Sequence, residues 1–278
     1  MYRQHFGIKT APLGKDQSEL WDDGALAGLN ERFQWLLQSP GLGLLTGEAG
    51  VGKTAALRHL AQGLNPHRYQ VVYLAETDFG RTDLYRSLAA ELGIEPAYRR
   101  AQLWRDLKTR IQELADSKQL LLVWIIDEAQ NLPPEFFRDF PAFLNFAFDS
   151  RELMTVWLVG HPGLAHTLNR TPYAALAGRI QVRLQLMPIV ERERFAELIT
   201  YALKAVGCQH TLLADSGMEL LRLASQGLPR QAGRILKTAM QMAVPKGLNH
   251  LPDDLLQRKR ATPPSKNFSH TRVSLSFF

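Results

Sequence analysis

The chain is poor in cysteine and has no long apolar run, and each shortage excludes a class of protein. Cys208 is the only cysteine among 278 residues, which excludes an intramolecular disulfide and a cysteine-rich metal site. No pattern near Cys208 activates its thiol, so we expect it to be buried filler. No window holds the ~20 uninterrupted apolar residues of a membrane helix, and the opening stretch MYRQHFGIKTAPLGKD has no signal-peptide core. These absences predict a cytoplasmic protein that does not act at a membrane.

The excess of positive charge is also small. The chain has 33 Lys and Arg against 27 Asp and Glu, a net charge of +6, with a pI of about 9.5. This balance permits nucleic-acid binding without requiring it. The 45% apolar and 22% charged content is typical of a globular protein with a substantial core.

Short apolar stretches alternate with amphipathic helical patterns after the SPG break at residues 39–41. The candidate strands are residues 42–47, 70–76, 119–127, 153–160 and 179–186. The helical patterns between them are TAALRHLAQGL, TDLYRSLAAELG, RAQLWRDLKTRIQELA and PEFFRDFPAFLNFAF. Apolar runs of this length separated by helices predict an α/β fold with a five-stranded parallel sheet covered on both faces.

The same patterns divide the chain into four segments. Residues 1–24 have little periodicity and predict an N-terminal arm, and residues 25–190 form the α/β domain, which begins with a helix at about 25–37. Residues 191–257 contain only helical patterns with glycine stop signals, which predicts a small all-helical lid. Residues 258–278 are basic, polar and proline-containing, and predict a disordered tail.

The stretch GEAGVGKT fits the phosphate-loop pattern G-x4-G-K-[ST] without a mismatch, between a strand and a helix. Its glycines let consecutive backbone N–H groups point at one anion, and the helix that follows adds its positive dipole end. Lys53 would place its charge on the β- and γ-phosphates of ATP, and the Thr54 hydroxyl would ligate Mg²⁺. The predicted nucleotide contacts are Gly47, Glu48, Ala49, Gly50, Val51, Gly52, Lys53, Thr54 and Ala55.

An acid pair ends the third predicted strand, in LLLVWIIDEAQ. Asp127 would hold the Mg²⁺ shell and Glu128 would polarise a water molecule. Acid pairs after apolar runs are common, so the pair gains its meaning from the phosphate loop upstream. Binding alone would need only Asp127, so Glu128 favours hydrolysis of ATP.

The phosphate loop, the acid pair and the helical lid together resemble the AAA+ ATPases, a class of P-loop NTPase. The resemblance implies that His161, after the strand LMTVWLVG, is sensor 1, although Asn, Thr or Gln is more usual there. It implies a finger arginine that completes the site of a neighbouring subunit, for which Arg179 is our choice, with Arg170 and Arg183 as the alternatives. The lid sequence GLPR resembles sensor 2, which makes Arg230 the γ-phosphate sensor of the lid, with Pro229 in the first turn of its helix.

Within that class, residues 1 to about 245 resemble the group of the general secretion pathway protein A ATPases and the Mu-type transposition-helper ATPases that select targets. The resemblance rests on YRQHFGIKTAPLGKD, LLTGEAGVGKT, ETDFGRTDLYRSLAAELGI, IIDEAQNLPPE and LVGHPGL. In this group the N-terminal arm passes over the adenine. Phe6 and Trp21 are therefore candidate wall residues, with plain core packing as the alternative.

The resemblance leaves two branches open. The secretion branch normally continues into a membrane span and a periplasmic portion, and the sequence ends soon after the lid, which favours the transposition branch. That branch implies a homo-oligomer, a ring or helical filament, that forms with ATP on double-stranded DNA and recruits or stimulates a transposase before hydrolysis disassembles it. The alternative is a soluble secretion-type or phage-assembly switch that does not act on DNA. A phosphoryl-transfer kinase is disfavoured because it has no need of a finger arginine and a GLPR lid.

A basic stretch, YRRAQLWRDLKTR, follows the second predicted strand, where assemblies of this class face their channel. Its candidate DNA contacts are Arg99, Arg100 and Lys108, with Arg105, Arg110, Arg81 and Arg86 in support. Such cations would neutralise phosphates and read no bases. The alternative is a solvated helix face with intrahelical partners such as Asp106 and Glu113. In the tail, residues 258–260 with Lys266 and Arg272 are either a second contact or a solubilising segment.

Overall fold

The structure is a computed structural model that describes residues 2–15, 20–22, 24–78 and 80–257. The strands are β1 Leu42–Gly47, β2 Tyr69–Leu74, β3 Leu121–Ile126, β4 Met154–Gly160 and β5 Ile180–Leu186. The helices of the first part are α1 Tyr2–His5, α2 Ala25–Gln38, α3 Lys53–Gln62, α4 Arg81–Glu91, α5 Arg100–Asp116, α6 Pro134–Phe143, α7 Pro162–Leu168 and α8 Ala174–Ala177. Those that follow β5 are α9 Arg192–Ala205, α10 Asp215–Ser225, α11 Pro229–Ala243 and α12 Asp253–Gln257.

All pairings in the five-stranded sheet are parallel, in the order β2-β3-β4-β1-β5. The α/β fold with a five-stranded parallel sheet is therefore confirmed. The strands β1 and β4 are buried along their whole length, whereas the edge strand β5 alternates buried with accessible residues. This contrast follows from position, because an edge strand has a neighbour on one side only.

Side chains of β3 supply both faces of the sheet because successive residues of a strand point in opposite directions. Leu122, Trp124 and Ile126 join a core cluster with α4, α5 and α6, and Val123 and Ile125 join a second cluster with α2 and α3. The two-sided burial explains why this strand is apolar throughout and was recognisable in the sequence.

The sheet order brings the loops after β1, β3 and β4 to one edge. Since β4 pairs with both β3 and β1, the turn after β4 lies between the phosphate loop and the acid pair. This arrangement could not be read from the chain order, in which the three loops are far apart.

The helical pattern at residues 134–148 ends earlier than its sequence suggests. The helix α6 stops at Phe143, and Ala147, Phe148 and Asp149 have φ values of 47°, 58° and 63°, in the left-handed region. A bridge between Phe146 and Arg151 closes the turn. The apolar residues of the pattern continue into this turn, where Phe146 is buried but Phe148 is fully exposed.

A third core cluster contains the helices after β5 together with part of the N-terminal arm. Phe195, Leu221 and Met240 of α9, α10 and α11 share it with Phe6 and Ile8. Phe6 is only 2% exposed, which matches the core-packing alternative for this residue, whereas Trp21 is partly exposed. Further along, Cys208 is buried in the same cluster. The predicted disordered tail and its cations at 258–260, Lys266 and Arg272 lie outside the described residues.

Candidate nucleotide site

The phosphate loop has the backbone that its glycines permit. Gly50 and Gly52 have φ values of 90° and 115°, in the left-handed region that side chains rarely adopt. A Cβ atom on Gly50 would also lie 2.9 Å from Cβ of Arg230. The helix α3 begins directly afterwards, at Lys53, so its N-terminus points into the loop.

Lys53 is held over the loop. Only 7% of the residue is exposed, and Nζ donates hydrogen bonds to the carbonyl oxygens of Gly47 at 2.8 Å and Glu48 at 3.2 Å. Burial lowers the pKa of Lys53, and the carboxylates of Glu128 and Asp127 oppose that effect. The ammonium group therefore lies where a phosphate would need its positive charge. The two carboxylates favour the charged form of the lysine.

Thr54 and Asp127 are in direct contact, 73 positions apart in sequence. The hydroxyl Oγ1 of Thr54 donates to Oδ2 of Asp127 at 2.6 Å, and Tyr73 Oη donates to the same oxygen at 3.0 Å. Asp127 is 3% exposed, and its other oxygen accepts from the backbone N–H of Glu128 at 2.9 Å. The two predicted Mg²⁺ ligands are thus brought together.

The donor set at this contact fits Mg²⁺. A hydroxyl and a carboxylate are hard oxygen ligands, and protein Mg²⁺ sites commonly use one or two such groups, with phosphates and water completing the octahedron. Among the described residues no group of three or more His, Cys, Asp or Glu side chains could hold a metal by itself. Thr54 and Asp127 therefore suit a metal that arrives with a phosphate ligand.

Tyr73 was not predicted as a site residue. It lies on β2 opposite Ile125 of β3, two positions before Asp127, and burial together with the charge of Asp127 raises the pKa of its phenol. The phenol therefore remains a proton donor to Asp127 across the neutral range. The signal that could have found it is a tyrosine near the end of the strand that pairs with the acid-bearing strand.

Glu128, Gln130 and His161 line an open cavity of about 310 Å³, together with Ala49, Lys53 and Gly163. Glu128 has a left-handed φ of 51°, and its side chain is exposed whereas Asp127 is buried. His161 caps α7, where its Nδ1 accepts from the N–H of Gly163 at 3.3 Å and its Nε2 lies 3.1 Å from Oε2 of Glu48. Because Nδ1 accepts, Nε2 carries the proton and donates to Glu48 when the ring is neutral. The predicted base, the sensor 1 candidate and two residues of the phosphate loop thus line one cavity.

Arg230, in the first turn of α11, lies against the same loop. Its backbone N–H donates to the carbonyl oxygen of Gly50 at 3.2 Å, and the positive charge of Arg230 contributes to the lowered pKa of Lys53. Pro229 occupies the first turn of α11, as predicted. The sensor 2 candidate is therefore next to the phosphate loop within a single chain.

The three finger candidates lie away from this cavity. Arg179 precedes β5. It therefore lies at the edge of the sheet where the parallel strands begin, and the phosphate loop lies at the edge where they end. Nη2 of Arg179 contacts both carboxylate oxygens of Asp149 at 2.9 and 2.8 Å. Arg183 donates to the carbonyl oxygen of Ala177 at 3.0 Å, and Arg170 caps a short 3-10 helix. A single chain does not bring any of them to its own site, and the choice among them stays a prediction.

Most of the cations in and around α5 are bonded to the chain itself. Arg100 pairs with Asp139 at 3.1 Å and stacks on Trp104, 4.5 Å from the ring centre. Lys108 Nζ donates to the carbonyl oxygens of Ala142 and Asn145 at 3.1 and 2.8 Å, and burial lowers its pKa.

The supporting cations have similar contacts. Arg81 pairs with Asp139, Arg86 with Asp83, Arg110 with Glu113 and the carbonyl of Leu92, and Arg105 with the carbonyl of Ala101. Of the two acidic residues expected to pair with cations of the helix, Glu113 does so with Arg110, whereas Asp106 accepts a hydrogen bond from Gln102. Arg99, just before the helix, is exposed. DNA binding by these residues stays a prediction.

Comparison with known proteins finds a matching family model and a related sequence. Residues 36–168 match the model of the family described as AAA domain. General secretion pathway protein A of Aeromonas hydrophila is 29% identical over 257 residues, which cover 89% of this chain. The match spans 46% of that relative, about half its length.

Solved structures share the fold at low identity. The Cdc6p protein of Pyrobaculum aerophilum has a TM-score of 0.68 and 19% identity, with 86% of this chain and 67% of the other covered. The Aeropyrum pernix ORC1 protein in complex with DNA has a TM-score of 0.67 and 16% identity, with 89% and 67% covered. Drosophila ORC bound to DNA has a TM-score of 0.69 and 15% identity, with 94% and 64% covered.

In the part of the chain that the structure describes, no helix has the length and apolar character to cross a bilayer.

Proposed function

We propose that the chain is an AAA+ ATPase of the group that contains general secretion pathway protein A, and that it binds Mg²⁺ and ATP between the phosphate loop and the acid pair and hydrolyses the γ-phosphate bond. The observation that carries the proposal is the 2.6 Å contact between Thr54 Oγ1 and Asp127 Oδ2. It joins the two segments that must act together.

The predicted site residues have distinct chemical tasks in this proposal. The loop N–H groups and Lys53 bind the β- and γ-phosphates, and Thr54 and Asp127 hold Mg²⁺, which would neutralise phosphate charge. Glu128 accepts a proton from the water that attacks the γ-phosphorus, and ADP leaves with the electrons of the broken bond. His161 Nε2–H and the Arg230 guanidinium are donors for the γ-phosphate oxygens.

The sharpest test replaces Glu128 by glutamine. Glu128→Gln keeps the size and polarity of the side chain but removes the base, so ATP should bind with parental affinity while phosphate release falls by about 100-fold. Binding is measured with a fluorescent ATP analogue and turnover by phosphate release. Glu135→Gln on α6, which removes an exposed carboxylate paired with Arg138, is the matched control and should behave like the parent. Parental turnover in Glu128→Gln would contradict the assignment.

We propose further that ATP loading assembles the chain into a homo-oligomer, a ring or a helical filament, on double-stranded DNA. In this proposal the assembly recruits or stimulates a transposase, and hydrolysis disassembles it. The supporting observations are the exposed Arg99 beside a basic helix and the two similar folds that were solved with DNA. The DNA contacts would be to phosphates, because cations such as Arg99 neutralise phosphate charge without reading bases.

A second candidate function is a secretion-type or phage-assembly switch without DNA. It is favoured by the identity with general secretion pathway protein A and by the number of α5 cations bonded within the chain.

Duplex DNA separates the two candidate functions. In the DNA-dependent case ATPase activity rises with duplex at low salt and the rise disappears at high salt, because released counterions drive phosphate contacts. ATPase activity that ignores duplex at every salt concentration would favour the switch. Electron microscopy with ATP, with and without duplex, shows whether an assembly forms.

A further inference from the structure

Gln130 stands between the predicted base and the sensor 1 turn. Its Nε2 donates to Oε2 of Glu128 at 2.7 Å, and its Oε1 accepts from the backbone N–H of His161 at 3.1 Å. Its side chain lines the same cavity as these two residues. No other described side chain is seen to contact both of them.

The chemistry of the two partners sets the orientation of the amide. The Glu128 carboxylate can only accept a hydrogen bond and the His161 N–H can only donate one, so Nε2 must face Glu128 and Oε1 must face His161. A carboxylate at position 130 would have no proton for Glu128, and an apolar residue would serve neither partner. The bridge therefore requires a side chain with both a donor and an acceptor.

The Gln130 amide lies closely against the end of β4. A Cβ atom on Gly160 would lie 2.5 Å from Oε1 of Gln130, so the end of β4 needs glycine to admit the amide. On the other side, the buried Thr77 donates its hydroxyl to the carbonyl oxygen of Glu128 at 3.0 Å, which holds the backbone of the acid. Glu128 is thus fixed through its main chain by one loop and through its carboxylate by Gln130.

We propose that Gln130 is a positioning residue that couples the direction of the Glu128 carboxylate to the turn after β4. The base is aimed at the attacking water when that turn, with His161, is in place, and it loses its support when the turn moves. Gln130 touches neither the phosphates nor the water in this scheme and acts through Glu128. The inference rests on the proposed hydrolysis at this site.

The test measures ATP affinity and turnover separately in Gln130→Leu and Gln130→Glu. A hydrogen bond to a charged group is worth enough to change a rate by about 10-fold to 100-fold. We expect kcat to fall by that factor in Gln130→Leu and further in Gln130→Glu, where a second carboxylate repels Glu128, while the ATP dissociation constant changes by less than about twofold. Gln102→Leu, which removes an amide donor from Asp106 on the surface of α5, is the matched control and should keep the parental kcat.

A double variant shows whether Gln130 acts through Glu128. In the Glu128→Gln background, Gln130→Leu should cause no further loss, because the group that it positions is gone. An additional loss there, a parental kcat in both single variants, or a loss of ATP affinity equal to the loss of kcat would overturn the inference. These results leave the proposed hydrolysis intact as long as turnover in Glu128→Gln falls as predicted, whereas parental turnover in Glu128→Gln contradicts the hydrolysis proposal itself. Thermal melting of each variant identifies any general loss of folding.

Discussion

Two charged regions of the molecule differ in what their side chains contact. At the phosphate loop edge, Glu128 and His161 face an open cavity, and their hydrogen bonds link groups that converge on one space. Around α5, Arg100 and Lys108 end on carboxylates, carbonyls and aromatic rings of their own surroundings. The two regions cannot be distinguished by counting charges in the sequence. In the structure, only the side chains of the first region face one common cavity.

The difference has a physical cause. Residues at the phosphate loop edge are positioned by the backbone, because the carboxyl ends of parallel strands lie at the same edge of the sheet. Long cationic side chains on a helix have enough freedom to find nearby acceptors, especially three or four residues away or on the next helix. Cations on a helix surface are therefore weaker predictors of a binding site than short side chains at strand ends.

The largest effect is expected from a comparison of two lysines. Lys53 and Lys108 each donate to two backbone carbonyls. Lys53→Ala should weaken ATP binding by at least about 100-fold, since a charge on the phosphates is lost, and Lys108→Ala should leave ATP affinity unchanged. Titration with a fluorescent ATP analogue measures both. Near-parental ATP affinity in Lys53→Ala would contradict the assignment of Lys53 to the phosphates and the difference predicted between the two regions.

A smaller effect is expected at Arg179, which resembles the α5 cations in being paired within the chain. If its pairing with Asp149 is exchanged for a phosphate of a neighbouring subunit, Arg179→Ala should lower turnover of the assembly by about 10-fold or more and leave ATP binding by the monomer intact. Asp149→Ala, which keeps the arginine, should retain turnover.

ATPase assays over a range of protein concentrations report the Arg179 effect. Parental turnover in Arg179→Ala would move the finger assignment to Arg170 or Arg183.

The smallest effect is expected between two neighbouring arginines. Arg99→Ala should weaken duplex binding by a few-fold and reduce its salt dependence by about one phosphate contact. Arg100→Ala should chiefly affect stability, by about 1 kcal/mol, because an ion pair and the stacking on Trp104 are lost. Fluorescence anisotropy and thermal melting separate the two. Equal effects of both changes on duplex binding would mean that α5 faces DNA despite its internal contacts.

The strands were predictable to within two residues at their ends because each is a short apolar run between polar breaks. The prediction at 70–76 continues past Leu74, where β2 ends, and that at 119–127 starts two residues before β3 and includes Asp127. The overruns occur because the apolar runs continue for one residue beyond the hydrogen-bonded ladder, at Ala75 and Leu120, and the predicted ranges also include the polar residues that flank them. The end of α6 was wrong for a related reason, since the pattern counted apolar residues that belong to a left-handed turn.

Two residues of the site were missed because their contacts depend on strand pairing. Tyr73 and Gln130 carry no motif of their own, and their tasks follow from neighbours on other strands. The distance from Tyr73 to Asp127 depends on the pairing of β2 with β3, and the bridge of Gln130 depends on β4 lying beside β3. The spacing of residues along the chain does not predict either strand pairing.

The sequence by itself determined the parallel α/β class, the phosphate loop with its helix, and the acid pair, because glycine flexibility, apolar periodicity and fixed spacing act over short stretches of chain. The tertiary structure alone decided which groups surround the cavity and which cations are already bonded, since strand order and side-chain contacts are set by packing between segments far apart in the chain.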